Sequence, residues 1–157
     1  MFHMIVSCWT IAMKVYLAAP MAGVRSNLEI NKKVYAFLVK LGHEVLTEHV
    51  VRDQLDVELG LSPKEIFERD VKLLNACDIV VADVSYPSLG VGFEIAYALL
   101  KGKKVIAYCS AERVEKTSAL IRGISWPIFK FITYSSPVEL LEKLKRVLTE
   151  EEAGNGR

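Results

Sequence analysis

The sequence predicts an α/β protein: a single flavodoxin-like domain, a three-layer sandwich with a five-stranded parallel sheet in the order 2-1-3-4-5. Three observations predict it. Strand-like and helix-like segments alternate along the chain, and parallel neighbours need a helical crossover to return. The segment Asp78–Val84 is nearly continuous apolar sequence, as expected of a strand covered on both faces. The length of 157 residues, 52% of them hydrophobic, is that of one domain with a core of its own.

The elements follow in order. Lys14–Ala19 is short, apolar and β-friendly until Pro20 and Gly23 break it. Ser26 and Glu29 have capping-box spacing, and Ile30, Val34, Phe37, Leu38 and Leu41 recur at helical intervals up to Gly42. Glu44–Thr47 is a brief second strand. Ser62-Pro63-Lys64-Glu65 combines a cap, a proline at the first helical position and a first-turn carboxylate, and opens a helix to about Ala76. After the Asp78–Val84 strand, the turn-rich Ser85–Gly92 feeds a helix to about Lys101. Lys104–Tyr108 and Phe129–Tyr134 are the fourth and fifth strands, and Ser136-Pro137-Val138-Glu139 opens the last helix. Residues 14–149 thus form the domain. Residues 1–13 are an extension or an over-long start, since Met13 would itself make a natural N-terminus, and 150–157 form a charged, fraying tail.

Composition excludes several function classes. Twenty Lys and Arg against nineteen Asp and Glu leave a net charge of +1, without the basic excess of a nucleic-acid or membrane-surface binder. Cys8, Cys77 and Cys109 are odd in number and far apart, with no CxxC pair, so neither a disulfide framework nor a structural zinc site is expected. They read as buried fillers, and a reducing cytoplasm is the default. No apolar run reaches the ~18 residues of a membrane span.

Open parallel sheets bind ligands beyond the carboxyl ends of their strands, at the switch between strands 1 and 3. The richest segment there is Asp83–Glu94, DVSYPSLGVGFE. Free N–H groups at a helix start, Ser88 beside them, and Gly90 and Gly92 permitting close approach make an anion cradle. It is neither a Walker loop nor a GxGxxG fingerprint. Glu94 falls in the first turn of that helix by this reading. It is either a carboxylate complementing the dipole or an ionised nucleophile whose pKa the dipole holds low, and on spacing alone the first reading leads. Asp70 sits three residues after Phe67 and four before Leu74, on the apolar stripe, where a carboxylate must be paired or face a cavity. Two carboxylates in unlike environments are what glycosidic chemistry requires. Tyr16 lies within the first strand, its ring in the core, and its hydroxyl needs a partner such as Glu94. Arg25 either binds phosphate or covers a helix start, His49 reads as a loop residue, and Ser118 is a phosphate donor or a plain cap.

Tyr16-Leu17-Ala18, Leu46-Thr47-Glu48-His49-Val50, Asp70, Ala76–Ala82 and the runs Pro87–Glu94 (PSLGVGFE) and Ser118–Gly123 (SALIRG) resemble the 2'-deoxynucleoside 5'-phosphate N-hydrolases. These are cousins of the nucleoside 2-deoxyribosyltransferases, and the resemblance covers about residues 14–148. It implies that Glu94 attacks C1' of deoxyribose to form a covalent glycosyl-enzyme. Asp70 then protonates or hydrogen-bonds the leaving base, Tyr16 orients Glu94, and water releases deoxyribose 5-phosphate. It implies a phosphate held by Ser88, Gly90 and Ser118, the last reaching in from a second subunit of a homodimer, and it makes Ala119 and Leu120 substrate-binding positions. Ala18, Ala19, Pro20, Met21, Ala22, Gly23 and Arg25 around the strand-1 loop, with His49 and Tyr35, fall at ligand-contacting positions. No metal or organic cofactor is implied. The chain departs from the pattern at Ala22, where the family carries an arginine, and at Ala19-Pro20, where the entry is glycine-rich. Two rivals stand beside this reading. One is a deoxyribosyltransferase, which usually shows an aspartate near Ser88; the other is a non-catalytic nucleotide-binding module, which has no need of Tyr16, Asp70 and Glu94 together. The PGGxGTxxE motif of cytokinin-type phosphoribohydrolases is absent.

Overall fold

Five short strands, β1 (Lys14–Ala18), β2 (Glu44–Val45), β3 (Ile79–Asp83), β4 (Lys104–Ser110) and β5 (Phe129–Tyr134), pair in parallel in the order β2-β1-β3-β4-β5. This is the predicted topology. The computed structural model describes residues 11–21 and 25–154. Five helices return the chain: α1 (Leu28–Lys40), α2 (Pro63–Ala76), α3 (Leu89–Leu100), the single turn α4 (Ala119–Arg122) and α5 (Pro137–Gly154).

Strand alternation divides the core in two. Val15 and Leu17 of β1 join Val34 and Leu38 of α1 and Leu140, Leu144 and Leu148 of α5 on one face. Tyr16 and Ala18 point the other way, among Leu74 of α2 and Val91, Ile95 and Ala98 of α3. All five residues of β3 are buried, as its apolar run predicts. One residue's shift would exchange the faces, so the register Tyr16 opposite Val80 aims the Tyr16 ring at α3.

Several boundaries differ from expectation for identifiable reasons. Strand β2 stops at Val45, and Thr47 extends the pairing with its side chain: its Oγ1 accepts from Leu17 N–H at 2.9 Å and donates to Leu17 C=O at 2.7 Å. The Ser26/Glu29 capping box does not form, because α1 starts at Leu28. Glu29 pairs with Lys32 instead, and Asn27 donates its side-chain amide to the Asp83 carboxylate at 2.9 Å and to the Tyr134 hydroxyl at 3.0 Å. By contrast, the Ser62/Glu65 box of α2 is reciprocal, with Glu65 N–H on Ser62 Oγ and Ser62 N–H on the Glu65 carboxylate. Such a cap is worth about 1 kcal/mol. Helix α5 runs to Gly154 through the segment expected to fray, because Glu150–Ala153 are good helix formers. Met13, expected outside the domain, is buried and donates its N–H to His43 Nδ1 at 3.2 Å. Residues 1–10 and 155–157 of the predicted extension and tail lie outside the described residues.

Candidate active site

The site begins where β3 ends. Ser88 has extended backbone and its Oγ accepts from Val91 N–H at 3.3 Å, so it is the cap that starts α3 at Leu89. Counting from Leu89, Glu94 is the sixth helical residue and lies in the second turn, not the first as expected. The helix dipole acts mainly on the first turn and so loses to another effect. Burial pushes the Glu94 carboxyl up to about 7, with the neighbouring Asp70 charge adding to it and the Tyr16 hydrogen bond and Arg69 opposing it. The expectation of a carboxylate held low by the dipole is corrected accordingly.

Tyr16 reaches Glu94 from β1. Its ring is fully buried, and its hydroxyl donates to Glu94 Oε1 at 2.5 Å. Burial and the Glu94 charge raise the phenol far above its usual range, so it remains a proton donor.

Asp70 approaches from α2 and meets both conditions its position requires. It faces a cleft, and it is paired: Oδ1 accepts from Arg69 Nε at 2.9 Å and lies 3.6 Å from His49 Nε2. His49, expected as an ordinary loop residue, is buried in a 3₁₀ turn (Glu48–Val51) that follows β2. Burial, then Arg69, lowers the His49 pKa, which makes it a neutral imidazole at pH 7.

Glu94, Asp70, His49 and Gly90 line a cleft of about 280 Å³ whose remaining wall is largely apolar, from Ala19, Met21, Leu55, Val57 and Ile66. Ala18 and Pro20, on either side of Ala19, are buried and do not line the cleft. Ser88 lines both this cleft and a second, larger apolar groove of about 930 Å³ along α3. Ser118 and Leu120 line only that groove, and Ala119 beside them is exposed. Arg25 is held by main-chain carbonyls, Nη2 on Val50 O at 2.9 Å and Nη1 on Asp53 O at 3.3 Å. Tyr35 packs from α1 against the opposite core and does not line the cleft. Ala22 and Gly23 lie outside the described residues. Two charged cleft residues escaped the sequence reading, Arg69 and Asp56, which form an ion pair at 2.9 Å, as did the apolar Leu55, Val57 and Ile66. The only sequence signal for Arg69 was a charge beside Asp70 on a helix with an apolar stripe, and Asp56, in a polar loop, gave none. Cys77 and Cys109 are buried and free, as expected of fillers.

The nucleoside 2-deoxyribosyltransferase family model matches residues 15–140, a span that includes every element from β1 into α5. The chain belongs to this family. Within the deoxyribosyltransferase family its likeness to the N-hydrolase relatives is high. A Thermofilum pendens protein provisionally named a 2'-deoxynucleoside 5'-phosphate N-hydrolase is 57% identical over 136 residues, 87% of this chain and 95% of that protein. The 5-hydroxymethyl-dUMP N-hydrolase of Danio rerio is 35% identical over 142 residues, 87% of this chain and 99% of the relative. Among solved structures, the CMP N-glycosidase of Clostridium botulinum superposes with a TM-score of 0.63 at 26% identity, over 84% of this chain and 98% of its own. The solution structure of BlsM shares the fold, with a TM-score of 0.72 at 20% identity over 90% of this chain and 92% of its own.

Proposed function

We propose that this protein is an N-glycosidase that hydrolyses 2'-deoxynucleoside 5'-monophosphates to the free base and 2-deoxyribose 5-phosphate. One observation carries the reading: a buried tyrosine hydroxyl holds Glu94 in the wall of a small cleft that Asp70 also lines. The names of the relatives that span nearly the whole chain support glycosidase activity and a nucleotide substrate.

In the first step an ionised Glu94 oxygen bonds to C1' as the bond from C1' to the base nitrogen breaks. The electron pair leaves with the base, which Asp70 stabilises by protonation or hydrogen bonding. Water then bonds to C1' as the bond to Glu94 breaks, and its proton returns to Asp70 or, where Asp70 only hydrogen-bonded the base, passes to the departing base, which gives deoxyribose 5-phosphate. Splitting one displacement into two is the logic of retaining glycosidases. Tyr16 keeps one Glu94 oxygen engaged and so fixes which oxygen attacks. Apolar walls from Met21, Leu55, Val57 and Ile66 offer the base a surface to pack against.

The protein acts as a homodimer in a reducing cytoplasm. Helix α3 turns Leu89 and Leu100 outward, and with Leu120 and Trp126 they leave large apolar side chains exposed around the second groove, Leu89 by 97%. A self-complementary contact there covers this surface and brings a partner copy beside Ser88, where Ser118 of one chain completes the phosphate site of the other.

The test is release of base from dGMP, with deoxyguanosine and GMP alongside and with or without free adenine. Release from dGMP alone, unaffected by adenine, is the expected result. The match to a deoxyribosyltransferase family model favours a second reading, transfer of the sugar to another base. Deoxyguanosine reacting only when adenine is present would establish that reading instead.

A further inference from the structure

Arg69 is adjacent to Asp70 on α2, and consecutive helical side chains diverge by about 100°. Its guanidinium nonetheless turns back onto Asp70, with Nε at 2.9 Å and Nη2 at 2.8 Å from Oδ1. The same Nη2 lies 2.9 Å from Oδ2 of Asp56. Asp56 is buried, and its turn is itself braced, with Leu59 and Leu61 N–H on Asp56 O and Leu55 N–H on the Glu58 carboxylate. Arg69 therefore joins α2 to the turn whose Leu55 and Val57 form the cleft wall.

Two consequences follow for the proposed reaction. Arg69 occupies Oδ1 of Asp70, which leaves Oδ2 as the oxygen available to a leaving base. Arg69 is also the one cation among the described residues lining this cleft, where Glu94 faces Tyr16 from β1, Asp70 from α2, His49 from the 3₁₀ turn and Asp56 from the 55–60 turn. It opposes the burial that raises Glu94, and it helps keep His49 neutral.

We propose that Arg69 is a positioning residue: its guanidinium bridges Asp56 and Asp70, presents the free Asp70 oxygen to the leaving base, and holds the 55–60 turn against the cleft. The role rests on the hydrolase reading. Its geometric requirement is a planar fork with two acceptors, which a lysine ammonium cannot reproduce although it keeps the charge.

The experiment compares wild type, Arg69→Gln and Arg69→Lys in dGMP cleavage and in an NMR titration of the ¹³C-labelled Glu94 carboxyl. Arg69→Gln is expected to lower kcat about 10- to 100-fold, the scale of a misplaced catalytic group, with KM near the wild-type value, and to shift the Glu94 midpoint upward. Arg69→Lys is expected to restore that midpoint but not kcat. A lysine variant as active as wild type would overturn the fork, and a glutamine variant with unchanged kcat and midpoint would overturn the role altogether. Should Arg69→Gln fail to fold, Arg69→Lys still decides the matter through kcat. Wild-type protein inert towards dGMP, with the Glu94 midpoint still moving in Arg69→Gln, would remove the substrate reading and leave the bridge in place.

Discussion

The Tyr16 hydroxyl and Glu94 Oε1, 2.5 Å apart, join β1 to α3 across the point where the crossovers change direction. This bond favours the ionised form of a carboxylate that burial otherwise raises to about 7. Removing it in Tyr16→Phe leaves the ring and its packing but takes away the donor. A hydrogen bond to a charged group is worth about 1.5–3 kcal/mol. Tyr16→Phe is therefore expected to lower kcat/KM for dGMP about 10- to 100-fold, with a larger deficit at pH 6 than at pH 8. An equal deficit at both pH values would show that Tyr16 does not act through Glu94 ionisation.

In the proposed mechanism, ionisation of Glu94 sets the pH dependence of the reaction. Its folded pKa is raised, so the carboxyl is neutral well below 7 and ionised above it, and a nucleophile must be ionised. The kcat/KM profile is expected to climb with pH through about 7. Glu94→Ala should abolish turnover. The sign for stability is opposite: a raised carboxyl contributes stability below its unfolded pKa and loses it as pH rises through the folded value. Glu94→Gln should thus melt higher than wild type at pH 8 and near wild type at pH 4. Each pKa unit is worth about 1.4 kcal/mol, discounted here for the cleft's opening to water, which leaves on the order of 2 kcal/mol. Thermal melts at the two pH values check this.

The sheet order and the pairing of Tyr16 with Glu94 were legible because both follow from periodicity. Alternation sends Tyr16 to the face opposite Val15 and Leu17, and the β3 loop delivers α3 to that face. The position of Glu94 within its helix was not legible, because it depends on which residue caps it. Ser88 takes that role and moves Glu94 a turn inward, so burial rather than the dipole governs its charge. Likewise Ser26 and Glu29 had the spacing of a cap, but Asn27 is held by Asp83 and Tyr134, residues more than fifty positions away. The Arg69–Asp56 bridge is of the same kind: a tertiary pairing between a helix and a turn that local pattern cannot reveal.

Asp70 carries a prediction that separates chemistry from binding. Its carboxylate is engaged on one oxygen and open to the cleft, so Asp70→Asn keeps the shape while weakening proton donation to the base. Loss of a general acid costs about 100- to 10,000-fold in kcat. The Kd for deoxyribose 5-phosphate is expected to change little, as measured by calorimetry. A rate equal to wild type would return Asp70 to a purely structural role.

The groove along α3 makes the dimer testable at one residue. Leu89 is 97% exposed, so Leu89→Glu should leave the monomer fold intact while placing a charge on the apolar face. Sedimentation velocity is expected to give a dimer for wild type and a monomer for the variant, with dGMP cleavage lost alongside. A stable wild-type monomer with full activity would dismiss the partner's contribution.

If Ser118 serves the neighbouring chain, its loss and the loss of Glu94 fall on different chains of one site. Glu94→Ala should be inactive and Ser118→Ala poorly active at low dGMP. Co-expressed, they form mixed dimers in which the Glu94 of one chain meets the Ser118 of the other. With random pairing in a symmetric dimer, intact sites recover to about one quarter of the wild-type number. The single-chain geometry agrees with such an arrangement, since Ser118 and Leu120 line the outer groove and not the cleft that holds Glu94. Activity in the mixture no greater than the sum of the two variants would place Ser118 and Glu94 in the same chain's site and require α4 to fold inward.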